Sequence, residues 1–525
     1  MTSPARMRPQ HPATHRVTDL TATFSLVADA LDPALVVTGV TVSSGDVAPG
    51  DLFVAVPGLK VHGATFAPQA VAAGAVAVVT DTAGAALVRD AGLTVPVLLT
   101  DDPRAVSGPL AAHVHGHPGE DLVTVGVTGT NGKTTTTYFV DAALRAAHAV
   151  TAVLGTVELR VGDEAVESPR TTVEAPALQA ILALARERGA GAVAMEVSSH
   201  ALALGRVRGL TFDVVGFTNL QRDHLDFHGD MEGYFRDKAR LFDPEQARRG
   251  VVVVDDEWGR RLASSARIPV ETVATHVDDP HATDADWAVV SADIGLDGVG
   301  SSFVLRGPDG TEHAAASPLP GLVNVSNAAL AIVLAHAAGV DLAVAVDAVA
   351  HAHEIPGRME RVVERGDGWP LCLVDYAHTP DALVLALEAV RPITPGRLIL
   401  VFGSDGDRDQ GKRPIMGQIA ARLADVLVVT DENPRSEDPA TIRAAILEGV
   451  RAERPSGADV HEATSRAQAI RDALALATDQ DTVIVTGKGH EPTQEIAGVF
   501  HRYNDRDVYL AARAERSPAR AEQHA

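Results

Sequence analysis

Cysteine is almost absent: Cys372 is the only one in 525 residues. One thiol excludes a disulfide framework and a cysteine-based zinc site. Aromatic residues are scarce too, 4% against 46% hydrophobic residues in all, so the cores must be built from Ala, Val and Leu. Positive charge is in deficit, with 45 Lys and Arg against 69 Asp and Glu and a formal charge of −24. That balance argues against a nucleic-acid surface, which needs clustered Lys and Arg. It leaves room for a small anion, because a local glycine loop binds one against the global field. Long apolar runs are missing as well. None reaches about 18 residues without a polar interruption, so no membrane-spanning helix is expected. The stretch Met1 to Arg16, with Pro4, Pro9, Pro12, His11 and His15, lacks the apolar centre of a signal peptide and reads as a loose leader. A soluble, cytoplasmic protein is the expectation. At about 100–200 residues per domain, this length holds about three or four domains.

What is present centres on Val123 to Thr137. The apolar run Leu122 to Val127 reads as a buried parallel strand, and Thr134 to Ala147 has the composition of a helix. Between them stands Gly129-Thr130-Asn131-Gly132-Lys133-Thr134-Thr135. Strand, glycine-rich turn, Lys-Thr, helix is the arrangement that cradles nucleotide phosphates. Gly129 and Gly132 let backbone N–H groups approach an anion with no Cβ in the way. Lys133 brings a charge to the outer phosphates, and Thr134 a hydroxyl for Mg²⁺. Val127 occupies the place of the first glycine of the longer G-x-x-x-x-G-K-T pattern, so the motif here is the shorter G-x-x-G-K-T.

In chain order, Val36 to about Asp101 alternates short apolar strands with Gly/Pro turns, a small α/β unit. Pro103 to Glu120, rich in Gly and Pro, reads as a linker. Beyond the phosphate loop, a helix is expected over Pro176 to Arg188. Strands are expected over Ala192 to Val197, Asp213 to Thr218 and Val251 to Val254. Continuous Val/Ala/Met strands are buried on both faces, which implies a parallel sheet covered by helices. Thr283 to Thr311 alternates, predicting small antiparallel strands, and Asn324 to Ala338 returns to helix. A third α/β unit follows Pro356, with strands at Leu371 to Val374, Leu398 to Phe402, Val426 to Thr430 and Thr482 to Thr486. The domains expected are 1–104, 105–355 and 356–525.

Ligands of open parallel sheets sit beyond the carboxyl ends of the strands, and the polar clusters fall there. Glu196 and His224 both follow strands of the phosphate-loop domain, so both can face the nucleotide and hold Mg²⁺ with Thr134. Lys238, on the helix expected over Met231 to Phe242, would by itself be called a solvated lysine. Arg358 and Asp375 alone would be a surface charge and a turn residue.

Taken in series, several motifs resemble the Mur ligases over nearly the whole chain. They are the phosphate loop, Glu196 to His200, Thr218 to Asp226, Asn324 to Asn327, Pro356 to Glu360 and Asp375 to Pro380. The resemblance implies a three-domain α/β architecture with a central P-loop ATPase domain and a C-terminal Rossmann-like domain. It also implies ATP, Mg²⁺ and a UDP-N-acetylmuramoyl-L-alanyl-D-glutamate acceptor in peptidoglycan synthesis. A carboxylate of the acceptor is phosphorylated, and the amine of an amino acid attacks the acyl phosphate. Lys133, Glu196, His224 and Lys238 match catalytic positions, Lys238 as a carbamate that helps hold a second Mg²⁺. Asn324, Asn327, Arg358 and Asp375 match ATP contacts. Ser44, Thr171, Thr172, Ser199 and Arg206 match contacts of the sugar-peptide. A monomer is expected, with no nucleic-acid partner.

Asp431-Glu432-Asn433-Pro434-Arg435 corresponds to the motif of members that take meso-diaminopimelate, where the arginine forks the second carboxylate. Arg408, Gly487 and Glu491 match the remaining contacts, Glu491 facing the distal ammonium. Three places depart from the pattern: Ser43-Ser44-Gly45 stands for Asp-Ser-Arg, Thr171-Thr172-Val173 for Thr-Thr-Pro, and Asp405-Gly406 for Gly-Gly. The alternatives are the same reaction with L-lysine, another Mur or folylpolyglutamate-type ligase, and a nucleotide-sensing scaffold without catalysis.

Overall fold

The computed structural model describes residues 7–29, 31–58, 60–277, 283–295 and 300–516. The chain divides into two units: residues 1–289, 306–311 and 327–349 form the first, and 290–305, 312–326 and 350–525 the second.

The first unit opens on a four-stranded parallel sheet in the order 39–41, 51–54, 77–80, 97–99. Leu52, Val54, Ala77, Val79 and Leu98 pack one of its cores, and Phe53, Ala67, Ala70 and Val78 another. The expected α/β unit is therefore present, but two neighbouring readings need correction. Residues 7–16 are not loose. Met7 is fully buried, and Arg8 reaches both oxygens of Asp51 at 2.9 and 2.7 Å. His15–Arg16 then pairs antiparallel with Val36–Val37. A partner 43 residues away leaves no trace in local composition. Residues 1–6 of the leader lie outside the described residues.

The supposed linker is the helix Pro103–Val114 followed by a short 3₁₀ turn, Pro118–Asp121. Asp102 caps the helix by accepting from the Ala105 N–H at 2.9 Å, and Pro103 occupies the first turn, where its missing N–H costs nothing. Gly108 is there for contact: a Cβ on it would stand 2.1 Å from the Arg208 carbonyl oxygen. Pro109 inside the helix and the glycines look like breakers in sequence, yet Leu110, Ala111 and Val114 are buried beneath them.

The large sheet has the order 164–167, 158–161, 151–154, 192–196, 123–128, 212–217, 247–253, 270–274, 287–294, 301–306, 312–317. Neighbours from 151–154 through to 287–294 are parallel, and 158–161 and 164–167 add an antiparallel edge. The central strands are buried along almost their whole length, as their unbroken apolar composition dictates. The strand Trp287–Ile294, expected among small antiparallel strands, joins this sheet beside Val270–Ala274, with which it pairs in parallel, and the strands 301–306 and 312–317 follow it. Residues 296–299 of that expectation lie outside the described residues. The helix Lys133–Ala147 buries Phe139, Val140, Ala143 and Leu144.

The second unit holds a six-stranded sheet in the order 360–363, 371–375, 482–486, 398–402, 426–429, 460–462. All pairs are parallel except the first. The edge strands 360–363 and 460–462 and the hairpin 493–496/499–502 escape the sequence reading because they are short and partly exposed. No helix among the described residues is long and apolar enough to cross a membrane.

One buried ion pair fastens the second unit. Arg466 donates Nε–H and Nη2–H bonds to the two oxygens of Asp505, each at 2.8 Å, and both side chains are fully enclosed. A further Nη2–H bond reaches the Thr486 carbonyl at 2.8 Å. Removing one partner leaves an uncompensated buried charge. Asp505→Ala should therefore lower the unfolding free energy by about 3–5 kcal/mol in denaturant titration, whereas an unchanged midpoint would contradict the role given to this pair.

Candidate active site

The phosphate loop leaves the strand Val123–Thr128 between two parallel neighbours whose register is fixed. Glu196 lies opposite Val127, and Phe217 opposite Thr128. Three carboxyl ends therefore finish at one level. The first neighbour contributes Glu196, whose Oε2 accepts the Thr134 hydroxyl at 3.0 Å. The second contributes Thr218 and Asn219. The Thr218 hydroxyl donates to the Asn131 carbonyl at 2.7 Å, and Asn219 Oδ1 accepts the Asn131 N–H at 3.0 Å. The loop's shape is thus imposed by side chains from the adjoining strand end.

The loop glycines have conformations that explain them. Gly129 has φ +147° and Gly132 φ +86°. A Cβ on Gly129 would lie 1.8 Å from the Thr218 hydroxyl oxygen, and one on Gly132 2.2 Å from Asn327 Oδ1. Lys133 begins the helix and turns its ammonium over the loop, donating to the carbonyls of Gly129 at 3.1 Å and Thr130 at 2.8 Å.

Lys238 departs most from its isolated sequence reading. It is 1% exposed, donates to the Gly129 carbonyl at 2.6 Å and stands 4.6 Å from the centre of the Tyr234 ring. Burial, reinforced by the positive charge of Lys133, holds its pKa well below the ordinary lysine value. Tyr234 in turn meets the Thr130 hydroxyl at 3.2 Å. Lys133 and Lys238 thus converge on one carbonyl of the loop.

Imidazoles gather beside it. The His200 ring centre is 4.9 Å from His224 and 5.2 Å from His228. Burial lowers the pKa of both His200 and His224, taking His200 to about 4, with neighbouring imidazoles adding to the effect on His200. His228 spans Asp237 Oδ2 at 2.7 Å and the Ser199 hydroxyl at 2.9 Å. Among the described residues no three His, Cys, Asp or Glu side chains form a metal cluster. Of the four residues expected around Mg²⁺, Thr134 and Glu196 touch, Lys238 lies on the Gly129 carbonyl, and His224 stands within electrostatic reach of Lys133 and Lys238.

The residues expected to hold the acceptor are near the same strand ends. Thr172 donates to the Glu196 carbonyl at 3.0 Å and accepts the Ser198 N–H at 3.0 Å. Thr171 accepts the Thr156 hydroxyl at 3.1 Å, and Arg206 pairs with Glu174 at 2.9 Å. Ser44 lies in the turn after the strand 39–41 of the four-stranded sheet, bonded to Gln69 at 3.1 Å. Thr156 was missed by sequence reasoning, although its N–H and hydroxyl meet Glu196 at 2.7 and 3.0 Å. Its position just after the strand Thr151–Leu154 was the available signal. On the helix Leu322–Ala337, Asn324 donates to the Pro320 carbonyl at 2.8 Å and Asn327 accepts the Thr136 hydroxyl at 3.3 Å.

In the second unit Asp375 is enclosed by the N–H groups of Met359 at 2.8 Å and Ala377 at 2.9 Å. Burial raises its pKa against those bonds and against Arg358. The Arg358 guanidinium lies 4.4 Å above the Tyr376 ring. Residues 431–435 close the strand Val426–Val429. Asp431 is paired with Arg443, and Glu432 is buried with its pKa pushed up to about 8 by desolvation and by Asp405. Asn433 donates to Glu491 at 3.0 Å and accepts from the fully buried Lys488 at 2.9 Å. Arg435 has φ +55° and is held by backbone bonds to Glu495 at 3.1 Å and from Ala497 at 2.7 Å. A Cβ on Gly487 would lie 2.3 Å from Glu432 Oε2, whereas Arg408 is exposed. Lys488 was not singled out in sequence, where it resembles an ordinary turn charge, and Asp405 was noted only as a departure from Gly-Gly.

Comparison with known proteins gives consistent matches. The Mur ligase middle domain matches residues 127–335, the Mur ligase glutamate ligase domain 357–489, and the catalytic domain of the Mur ligase family 36–114. The chain is 49% identical to the UDP-N-acetylmuramoyl-L-alanyl-D-glutamate--2,6-diaminopimelate ligase of Streptomyces coelicolor, over 98% of this chain and 99% of that one. It is 47% identical to the UDP-N-acetylmuramyl-tripeptide synthetase of Leifsonia xyli, over 96% and 97%. A solved UDP-N-acetylmuramoyl-L-alanyl-D-glutamate--2,6-diaminopimelate ligase superimposes with a TM-score of 0.65 at 32% identity, covering 96% of this chain and 99% of its own. The MurF ligase from Thermotoga maritima, solved with ADP, shares the fold at 17% identity and a TM-score of 0.59, over 91% and 96%.

The loop geometry generates a direct test. Gly129→Ala would put a methyl group against Thr218 in a backbone region unfavourable to L residues. Nucleotide affinity measured by calorimetry should fall by about tenfold or more, since such a conformation alone costs about 1–2 kcal/mol. Unchanged affinity would remove the loop from the site.

Proposed function

The chain belongs to the Mur ligase family, with its three-domain α/β architecture, and from that premise we propose that it is an ATP-dependent amide-forming ligase. It adds meso-diaminopimelate to UDP-N-acetylmuramoyl-L-alanyl-D-glutamate in peptidoglycan synthesis, the reaction that the names of its relatives describe. The observation that carries the reading is the pairing of the phosphate loop with Glu196 and a buried Lys238. The domains are taken as 1–104, 105–355 and 356–525, in a cytoplasmic monomer acting on small molecules.

A carboxylate is a poor electrophile, and phosphorylation gives it a leaving group. The loop N–H groups and Lys133 are the donors for the transferring phosphoryl group, where fixed charge acts with little reorganisation. Oxygen donors suit Mg²⁺, and Thr134 and Glu196 supply them in direct contact. Magnesium, when bound, neutralises charge developing on the phosphates. Lys238 as a cation cannot ligate a metal. Its burial favours the neutral amine, the species that reacts with CO₂ to give a carbamate with two oxygens. His224, kept neutral by burial, completes the polar end of the site.

Thr171, Thr172, Ser199 and Arg206 serve the sugar-peptide, and Ser44 the uridine end. Asn324, Asn327, Arg358 and Asp375 serve ATP. The incoming amino acid is assigned to Arg408, the loop 431–435, Gly487 and Glu491. Arg435 supplies the fork for the second carboxylate.

ADP release with the UDP-dipeptide and meso-diaminopimelate tests the reaction. Lys133→Ala should reduce its rate on the order of a hundredfold or more with the fold intact, and near-normal turnover would contradict the phosphate-loop assignment. Lys238→Ala should be inactive, unresponsive to bicarbonate and partly rescued by acetate, which restores oxygen donors. Incorporation of ¹³CO₂ into the unmodified protein, read by NMR as a carbamate signal absent from Lys238→Ala, checks the modification independently of activity.

A further inference from the structure

The end of the second unit's sheet is rich in acceptors and short of donors. Asp405, Glu432, Glu491 and Glu495 lie around Arg435 and Lys488, and Arg466 and Lys412 also act electrostatically on Glu432. Lys488 is fully committed, donating to Asn433 Oδ1 at 2.9 Å, Glu491 Oε2 at 2.8 Å and the Thr493 carbonyl at 2.7 Å. Arg435 is partly committed. Its Nη2–H bonds Asp405 Oδ2 at 3.0 Å, and its Nε, with no hydrogen-bond partner, lies 3.8 Å from Glu495. Two buried carboxylate oxygens are left without a donor, Asp405 Oδ1 and Glu432 Oε2. Glu432 is 2% exposed and faces the bare α-carbon of Gly487.

A guanidinium bound to an internal carboxylate must release it before it can fork a ligand carboxylate, while orphaned acid oxygens are ready-made acceptors for an ammonium. We propose that Asp405 determines specificity for the incoming amino acid by competing with the ligand's second carboxylate for Arg435. With Glu432, it turns the pocket toward the ligand's distal ammonium. Dibasic amino acids with no second carboxylate, L-lysine among them, are then accepted about as readily as meso-diaminopimelate. This rests on the assignment of residues 431–435 to the incoming amino acid and refines it. Asp405 acts through Arg435, as a positioning residue.

The test measures kcat/KM by ADP release with the UDP-dipeptide acceptor, for meso-diaminopimelate and for L-lysine. It uses the full chain, Asp405→Asn, Asp405→Ala, Arg435→Ala and the Asp405→Ala/Arg435→Ala double variant. The ratio of the two constants on one protein cancels any loss of folded enzyme. In the unmodified chain the constants should lie within about tenfold of each other, and both Asp405 variants should raise the diaminopimelate-to-lysine ratio by about tenfold or more. In the Arg435→Ala background the Asp405 change should leave the ratio unmoved. A ratio that stays constant or falls on replacing Asp405 alone overturns the proposal, as does a strong preference for diaminopimelate in the unmodified chain. ADP release with neither amino acid would overturn the assigned reaction itself, and the proposal with it.

Discussion

Parallel pairing of the strands 123–128, 192–196 and 212–217 is the constraint from which the rest of the site follows. Because side chains on a strand alternate faces, the register decides which residue of each neighbour ends beside the loop. A one-residue slip would turn Glu196 away from Thr134 and break the bonds from Thr218 and Asn219 to Asn131. Sheet hydrogen bonding thus sets the chemistry indirectly, by aligning three carboxyl ends.

Electrostatics then act locally against the global sign. A chain of net charge −24 keeps two lysines, Lys133 and Lys238, on the carbonyl of Gly129, one of them inaccessible to solvent. Desolvation drives Lys238 toward its neutral form and Glu432 toward its protonated one. The same physics thus favours an unprotonated amine in the first unit and a protonated acid in the second. Arg466 shows the opposite outcome, since its two bonds to Asp505 hold its pKa above the ordinary arginine value despite equal burial.

Backbone strain occurs beside these groups as well as elsewhere in the chain. His224, Met359, Asp407 and Arg435 all adopt positive φ, between +45° and +55°. Each costs about 1 kcal/mol or more in a side-chain-bearing residue and persists only because its surroundings hold it. Met359 is held by its bond to Asp375, and Arg435 by backbone bonds on both sides from the hairpin 493–502.

The strand-loop-helix at 123–147, the buried parallel strands and the polar residues at their carboxyl ends were all legible in the sequence. They depend on short-range pattern: unbroken apolar runs, two glycines before Lys-Thr, acids and amides just past each strand. The pattern failed where a local signal had a distant purpose. Gly108 and Pro109 looked like linker residues because their reason is the Arg208 backbone, and the leader looked loose because Arg8 finds its partner in Asp51. Lys238 was an ordinary helix lysine until folding set it 109 positions away against Gly129, and Thr156 needed the register to reach Glu196. Sequence alone also placed Arg435 at a strand end, but only the tertiary structure brought Asp405 to it from 30 residues away. Periodicity and turn chemistry are local and therefore written in the chain. Desolvation and charge pairing depend on which strand ends become neighbours, and that is settled only when the sheets close.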